Sequence, residues 1–95
     1  MKTKQFSNGA MDLAGKSYQL KYNIRSIVLF EKMTDKPFTL ACTTDHVIFL
    51  YAMLLSGTPD ATITLDDFMD AISPEQLRQA VVWTSEQVKS DTNEV

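Results

Sequence analysis

The chain has 95 residues, the length of one domain, and is expected to bury about 60–65% of its unfolded surface. Its 44% apolar and 22% charged residues exclude global disorder, and a single cysteine, Cys42, excludes an intrachain disulfide or a cysteine-built metal cage. A net charge of −3 argues against a nucleic-acid binder, and the longest apolar run, Val47 to Leu55, is about half of what spans a bilayer.

In chain order, residues 1–10 are polar, lack the apolar stretch of a signal peptide, and are expected to form a frayed tail. Gly15-Lys16 then separates Met11-Asp12-Leu13 from Tyr18-Gln19-Leu20-Lys21-Tyr22. The second segment alternates apolar and polar, so residues 11–22 predict a short β-hairpin that must pack on helices to be stable. Asn23 is a good N-cap for a helix over Ile24 to Thr34, with Ile24, Ile27, Val28, Phe30 and Met33 as its apolar positions. Pro37 ends it, because the residue before a proline is pushed out of helical geometry.

Thr43 or Thr44 is expected to cap a second helix that runs to about Ser56 and stops at Gly57. Thr64 caps a short third helix ending near Ile72, with Asp66 and Asp67 at the positive end of its dipole. Ser73-Pro74-Glu75-Gln76 is the clearest start signal in the chain, combining a capping serine, a first-position proline and a capping-box glutamine. The fourth helix is expected to reach about Lys89, with Leu77, Ala80, Val81, Thr84 and Val88 as its stripe, and residues 91–95 to fray. The predicted architecture is mainly α within an α+β class: a hairpin, then four helices over residues 23–90, in one domain over 1–95.

Catalytic chemistry is poorly supported. His46 is the one histidine, and it lies four residues from Cys42 across a helix start, so the two need not share a face. Matched to a calcium loop from Asp60, the chain has Thr62 and Thr64 at the third and fifth positions. It has Leu65 where glycine is needed and Ala71 where glutamate should stand. Asp66, Asp67 and Asp70 read more simply as a helix N-terminal turn and its solvated face. No enzyme activity, metal or cofactor is expected.

The second helix carries the strongest hint of function. At 100° per residue Val47, Leu50, Tyr51 and Leu54 form a core stripe, while Asp45 and Ser56 mark the opposite side as the watered one. That opposite side also holds Phe49, Ala52 and Met53. A helix apolar all round needs cover all round, from the hairpin or from another protein. Trp83 lies off the last helix's stripe among Gln76, Gln79 and Gln87, as an interface anchor or as a ring folded against the hairpin. Phe49, Ala52, Met53 and Trp83 are therefore the candidate protein-binding residues.

Charge is polarised along the chain. Residues 1–42 hold seven basic against three acidic side chains, a balance of +4, and residues 43–95 hold two against nine, a balance of −7. Such a chain either neutralises itself within one molecule or stacks head to tail with copies of itself.

The central segment also resembles a known family. Tyr18-Gln19-Leu20-Lys21-Tyr22-Asn23-Ile24-Arg25 leads into Leu29-Phe30-Glu31-Lys32-Met33-Thr34-Asp35-Lys36-Pro37-Phe38. Thr44-Asp45-His46-Val47 follows, running into Tyr51-Ala52-Met53-Leu54-Leu55, and later Ile63-Thr64-Leu65-Asp66-Asp67-Phe68. This order, over roughly residues 17–73, resembles the small tail assembly chaperones of long-tailed phages and prophages. In that family a strand leads into an FE-K-TGKPF-like helix end, then an apolar helix and a T-x-x-E/D-F helix. Asp35 stands where a glycine is common.

The resemblance implies a cytoplasmic helper in the bacterial host that binds the tape measure protein and recruits tail tube subunits (the major tail protein). It implies a protein that self-associates and is absent from the mature virion. The other readings are a small phage or mobile-element structural or adaptor protein, such as a tail completion or connector subunit, and a helical DNA-binding regulator. The last is disfavoured because the final two helices carry Asp66, Asp67, Asp70 and Glu75 against Arg78.

Overall fold

The computed structural model describes residues 6–93, with side chains through residue 89. Two tight loops organise its beginning. Asn8 and Gly9 hold φ of 52° and 90°, and Ala14 and Gly15 hold 49° and 83°. Paired positive-φ residues make two-residue hairpin loops whose twist matches the flanking strands. The result is a three-stranded antiparallel sheet in the order β1 (Phe6–Ser7), β2 (Ala10–Leu13), β3 (Lys16–Gln19). Phe6 pairs with Met11 and Met11 with Tyr18, which puts their side chains on one face. Those three, with Leu13 and Leu20, are buried against the helices.

The hairpin expected over 11–22 is thus part of a larger sheet. Residues 6–10, expected to fray, form β1 and the start of β2, because Asn8-Gly9 closes a second hairpin in front of the first. Residues 1–5 of that expected tail lie outside the described residues. β3 also ends before Tyr22. Leu20 N–H still donates to the Gly9 carbonyl at 2.7 Å, but Lys21 N–H leaves the sheet and donates to the Met53 carbonyl at 3.1 Å.

Helix α1 (Ile24–Thr34) has the expected bounds, set by a capping box. Asn23 Oδ1 accepts from Ser26 N–H at 2.9 Å, and Ser26 Oγ accepts from Asn23 N–H at 3.0 Å. Asp35 ends the helix in the left-handed region at φ 58°, its N–H donating to the Glu31 carbonyl at 2.8 Å. Of the predicted apolar positions, Phe30 is buried and Ile27 half-buried, whereas Ile24, Val28 and Met33 face solvent.

Helix α2 (Thr43–Gly57) is the axis of the core. Its N-cap is Cys42 rather than Thr43 or Thr44, and Cys42 makes no capping hydrogen bond through its side chain. The anchor comes from inside the first turn instead. Asp45 accepts from Ala41 N–H at 3.0 Å and from the Lys36 ammonium at 2.9 Å, and it is 2% exposed. Asp45 and Ser56 were expected to mark the watered side; both are buried, since the connection from α1 covers one end and β3 the other.

Helix α3 (Leu65–Ala71) starts at Thr64, whose hydroxyl accepts from Asp67 N–H at 3.1 Å. Helix α4 (Pro74–Asn93) starts on the full Ser73–Gln76 capping box, with reciprocal bonds of 2.9 and 3.1 Å. Gln76 also reaches out of its helix, its amide donating to the Asp12 carbonyl at 2.6 Å and tying α4 to β2. α4 passes the expected end at Lys89, so residues 91–93 are helical and 94–95 lie outside the described residues. One apolar cluster joins the sheet and all four helices, in the α+β class predicted.

The Asp45 carboxyl is held below the usual carboxylate range, first by the Lys36 hydrogen bond and then by Ala41 N–H. Because its folded pKa lies below its unfolded one, the unfolded chain binds the proton more readily. Its stabilisation is therefore present above about pH 4 and lost as pH falls through the depressed folded value. The urea midpoint of the native chain should drop between about pH 6 and pH 3 by more than that of Asp45→Asn. Equal drops would show that the Lys36–Asp45 contact adds no acid sensitivity.

Candidate protein-binding site

Phe49, Ala52 and Met53 are each 0% exposed, so they are core residues and not a contact surface. The cover comes from three places. Phe30 of α1 stands edge-on to Phe49 at 5.9 Å, and Tyr22 does so at 6.0 Å. Phe38, from the connection between α1 and α2, tilts against it at 4.8 Å. Met53 lies under the chain leaving β3, whose Lys21 N–H its carbonyl accepts. Sequence reasoning offered the hairpin or another protein as cover; α1 and its following loop supply most of it.

These contacts also explain the segment Phe30 to Phe38. Phe30 and Phe38 meet edge-on at 5.5 Å, Glu31 accepts from Phe38 N–H at 2.8 Å, and Lys36 pairs with Asp45. The residues that carry the family resemblance build the α1–α2 junction. Likewise Thr64 and Asp67 start α3, and Phe68 is fully buried beside Tyr51, whose hydroxyl donates to the Ile63 carbonyl at 2.8 Å.

Trp83 is half-buried. Its ring meets Phe6 edge-on at 5.6 Å, and Gly9 lies so near that an added Cβ would sit 3.1 Å from Cζ2. Trp83 is folded against the sheet, with only its margin open to a shallow depression beside Val82, Arg78 and Glu86. None of the four predicted residues adjoins a common open surface.

The open surface lies elsewhere. Between the first half of α2, α3 and the start of α4 runs an apolar groove of about 540 Å³. Val47 and Ile48 form one wall, Leu65, Met69 and Ile72 another, and Leu77 the end near Pro74. Met69 is 47% exposed there, while Phe68 on the other face of α3 holds the helix to the core. A seven-residue helix with one buried aromatic leaves Leu65 and Met69, one turn apart, as a second stripe that faces the open groove, with Leu65 half-buried and Met69 exposed. That spacing was the available signal. It is masked in the sequence because Val47 also falls on the core stripe of α2 and α3 carries Asp66, Asp67 and Asp70.

The groove offers contact area and little chemistry. Asp66 and Asp70 follow its two α3 side chains and are exposed, so one flank is acidic. Among the described residues no group of three or more histidine, cysteine or acidic side chains is placed to hold a metal. No described helix is long and apolar enough to cross a membrane. Comparison with known proteins returns no matching family model, no matching curated protein and no matching solved structure.

Proposed function

We propose that the protein is a non-enzymatic protein-binding factor, a phage tail assembly chaperone that holds the tape measure protein and recruits tail tube subunits. It acts in the host cytoplasm and is left out of the finished virion. The observation that carries this reading is the groove between α2, α3 and α4. Its aliphatic walls suit one apolar face of a partner helix, read as anchors at i, i+3 and i+4. A tape measure protein is long and apolar and supplies such helices. Asp35 gives further support. It is the one noted departure from the family pattern, and its left-handed backbone is the geometry in which a glycine is favoured.

Co-expression with the tape measure protein from the same genome tests the reading. The two should copurify, and Met69→Asp should weaken the complex about tenfold or more while leaving the thermal transition in place, since Met69 is half exposed. Undiminished copurification of Met69→Asp would remove the groove from the mechanism. Stoichiometric presence of the protein in purified particles would instead make it a tail structural component.

A further inference from the structure

Helix α1 turns two aliphatic side chains outward, one helical turn apart: Ile24, 74% exposed, and Val28, 42% exposed. The core has no use for them, because Phe30 and Ile27 already fill the inward face. Arg25 and Lys32 lie on one flank of this pair at 100° per residue, and both are exposed. Among the described residues the salt bridges are Lys36–Asp45 and Arg78–Glu75, which leaves Arg25 and Lys32 uncommitted.

The groove carries the complementary pattern. Leu65 and Met69 are also one turn apart, and Asp66 and Asp70 lie on one flank of them, likewise outside those two salt bridges. An exposed apolar pair with a basic flank therefore matches an open apolar groove with an acidic flank on the same chain. α1 cannot reach its own groove, because Phe30 against Phe49 and Lys36 against Asp45 fix it to α2.

We propose that in the absence of a client the groove is occupied by α1 of a second copy. Ile24 and Val28 seat against Ile48, Leu65 and Met69, and Arg25 and Lys32 lie over Asp66 and Asp70. This rests on the groove being a protein-binding site and adds what fills it before a client arrives. The contact is heterologous: the patch that gives differs from the patch that takes, so copies join head to tail. The +4 balance of residues 1–42 and the −7 balance of 43–95 orient that joining. One helix face in one groove falls below the roughly 1,200 Å² of a standard interface, so the association is weak and a longer apolar helix displaces it.

Two variants at exposed positions test this. Met69→Asp blocks the groove, and Ile24→Asp with Val28→Asp removes the donor face; circular dichroism confirms that each folds. In sedimentation velocity over micromolar to millimolar concentrations, the native chain should form species above monomer, weakened by added salt. Each variant alone should associate at least about tenfold more weakly. Their equimolar mixture should form a one-to-one dimer and stop there, since one partner keeps the face and the other keeps the groove. A native chain that stays monomeric into the millimolar range overturns the proposal, and so does a mixture that fails to dimerise. Retained binding of the tape measure protein in either case would leave the chaperone function standing with a client as the groove's sole occupant.

Discussion

Phe49→Ala is expected to abolish cooperative folding or to leave a domain that melts far below the native one. The ring is fully buried and meets Tyr22, Phe30 and Phe38, the residues that close α1 and the following loop over α2. Truncating a buried phenylalanine costs about 3–5 kcal/mol, because the neighbours only partly collapse into the space. Domains of this size have a total stability near the lower end of about 5–15 kcal/mol, so most of it would be gone. Urea unfolding followed by circular dichroism measures the effect. An unchanged midpoint would mean that this face of α2 is not core, and that it is free to meet a partner after all.

The second large effect has a sign opposite to what helix propensity gives. Replacing glycine by alanine inside a helix normally stabilises by about 1 kcal/mol. Gly57 closes the last turn of α2 directly under the end of β3. A Cβ there would press on the Gln19 carbonyl group, 2.8 Å from its carbon and 3.0 Å from that of Leu20. Those are backbone atoms of a paired strand and cannot swing aside as a side chain does. Around them Thr58 Oγ1 accepts from Gln19 N–H at 2.8 Å and its hydroxyl donates to the Gln19 carbonyl at 3.1 Å. Gly57→Ala must push the strand off the helix and loosen these bonds. A net loss of about 1–3 kcal/mol follows, a fall in melting temperature on the order of 10 °C. A melting temperature equal to or above the native one would show that α2 and β3 do not approach this closely.

Together the two substitutions probe both ends of the arrangement that covers α2, the aromatic contacts from α1 and the backbone contact from β3. A third class of change, at the exposed Met69 or at Ile24 and Val28, lies outside that arrangement and is expected to act on association instead. The distinction matters because the candidate binding residues shift with it. Phe49, Ala52 and Met53 lie in the core, whereas Met69 lies on the groove proposed to bind a partner.

Helix starts were legible in the sequence because capping is local. Asn23, Thr64 and the Ser73-Pro74-Gln76 run each satisfy backbone N–H groups within three residues, and each stands where the helix begins. The strand Phe6–Ser7 was missed: Asn8-Gly9 tolerates positive φ and closes a hairpin, but residues 1–10 are polar enough to read as a frayed tail. What the sequence by itself determined is the succession of one hairpin and four helices, and the scarcity of catalytic groups. Which faces of those elements meet water was decided only by the tertiary structure. α2 is apolar on every side, so periodicity carries no direction: Asp45 and Ser56 read as its wet edge, yet Lys36, Ala41 and β3 bury them. α1 has more aliphatic positions than its one buried face can use, and Ile24 and Val28 are left outside. Backbone preference acts over three or four residues, whereas burial depends on whatever distant segment lies across the face. That is why the groove beside Met69 became visible only once α2, α3 and α4 had been placed against one another.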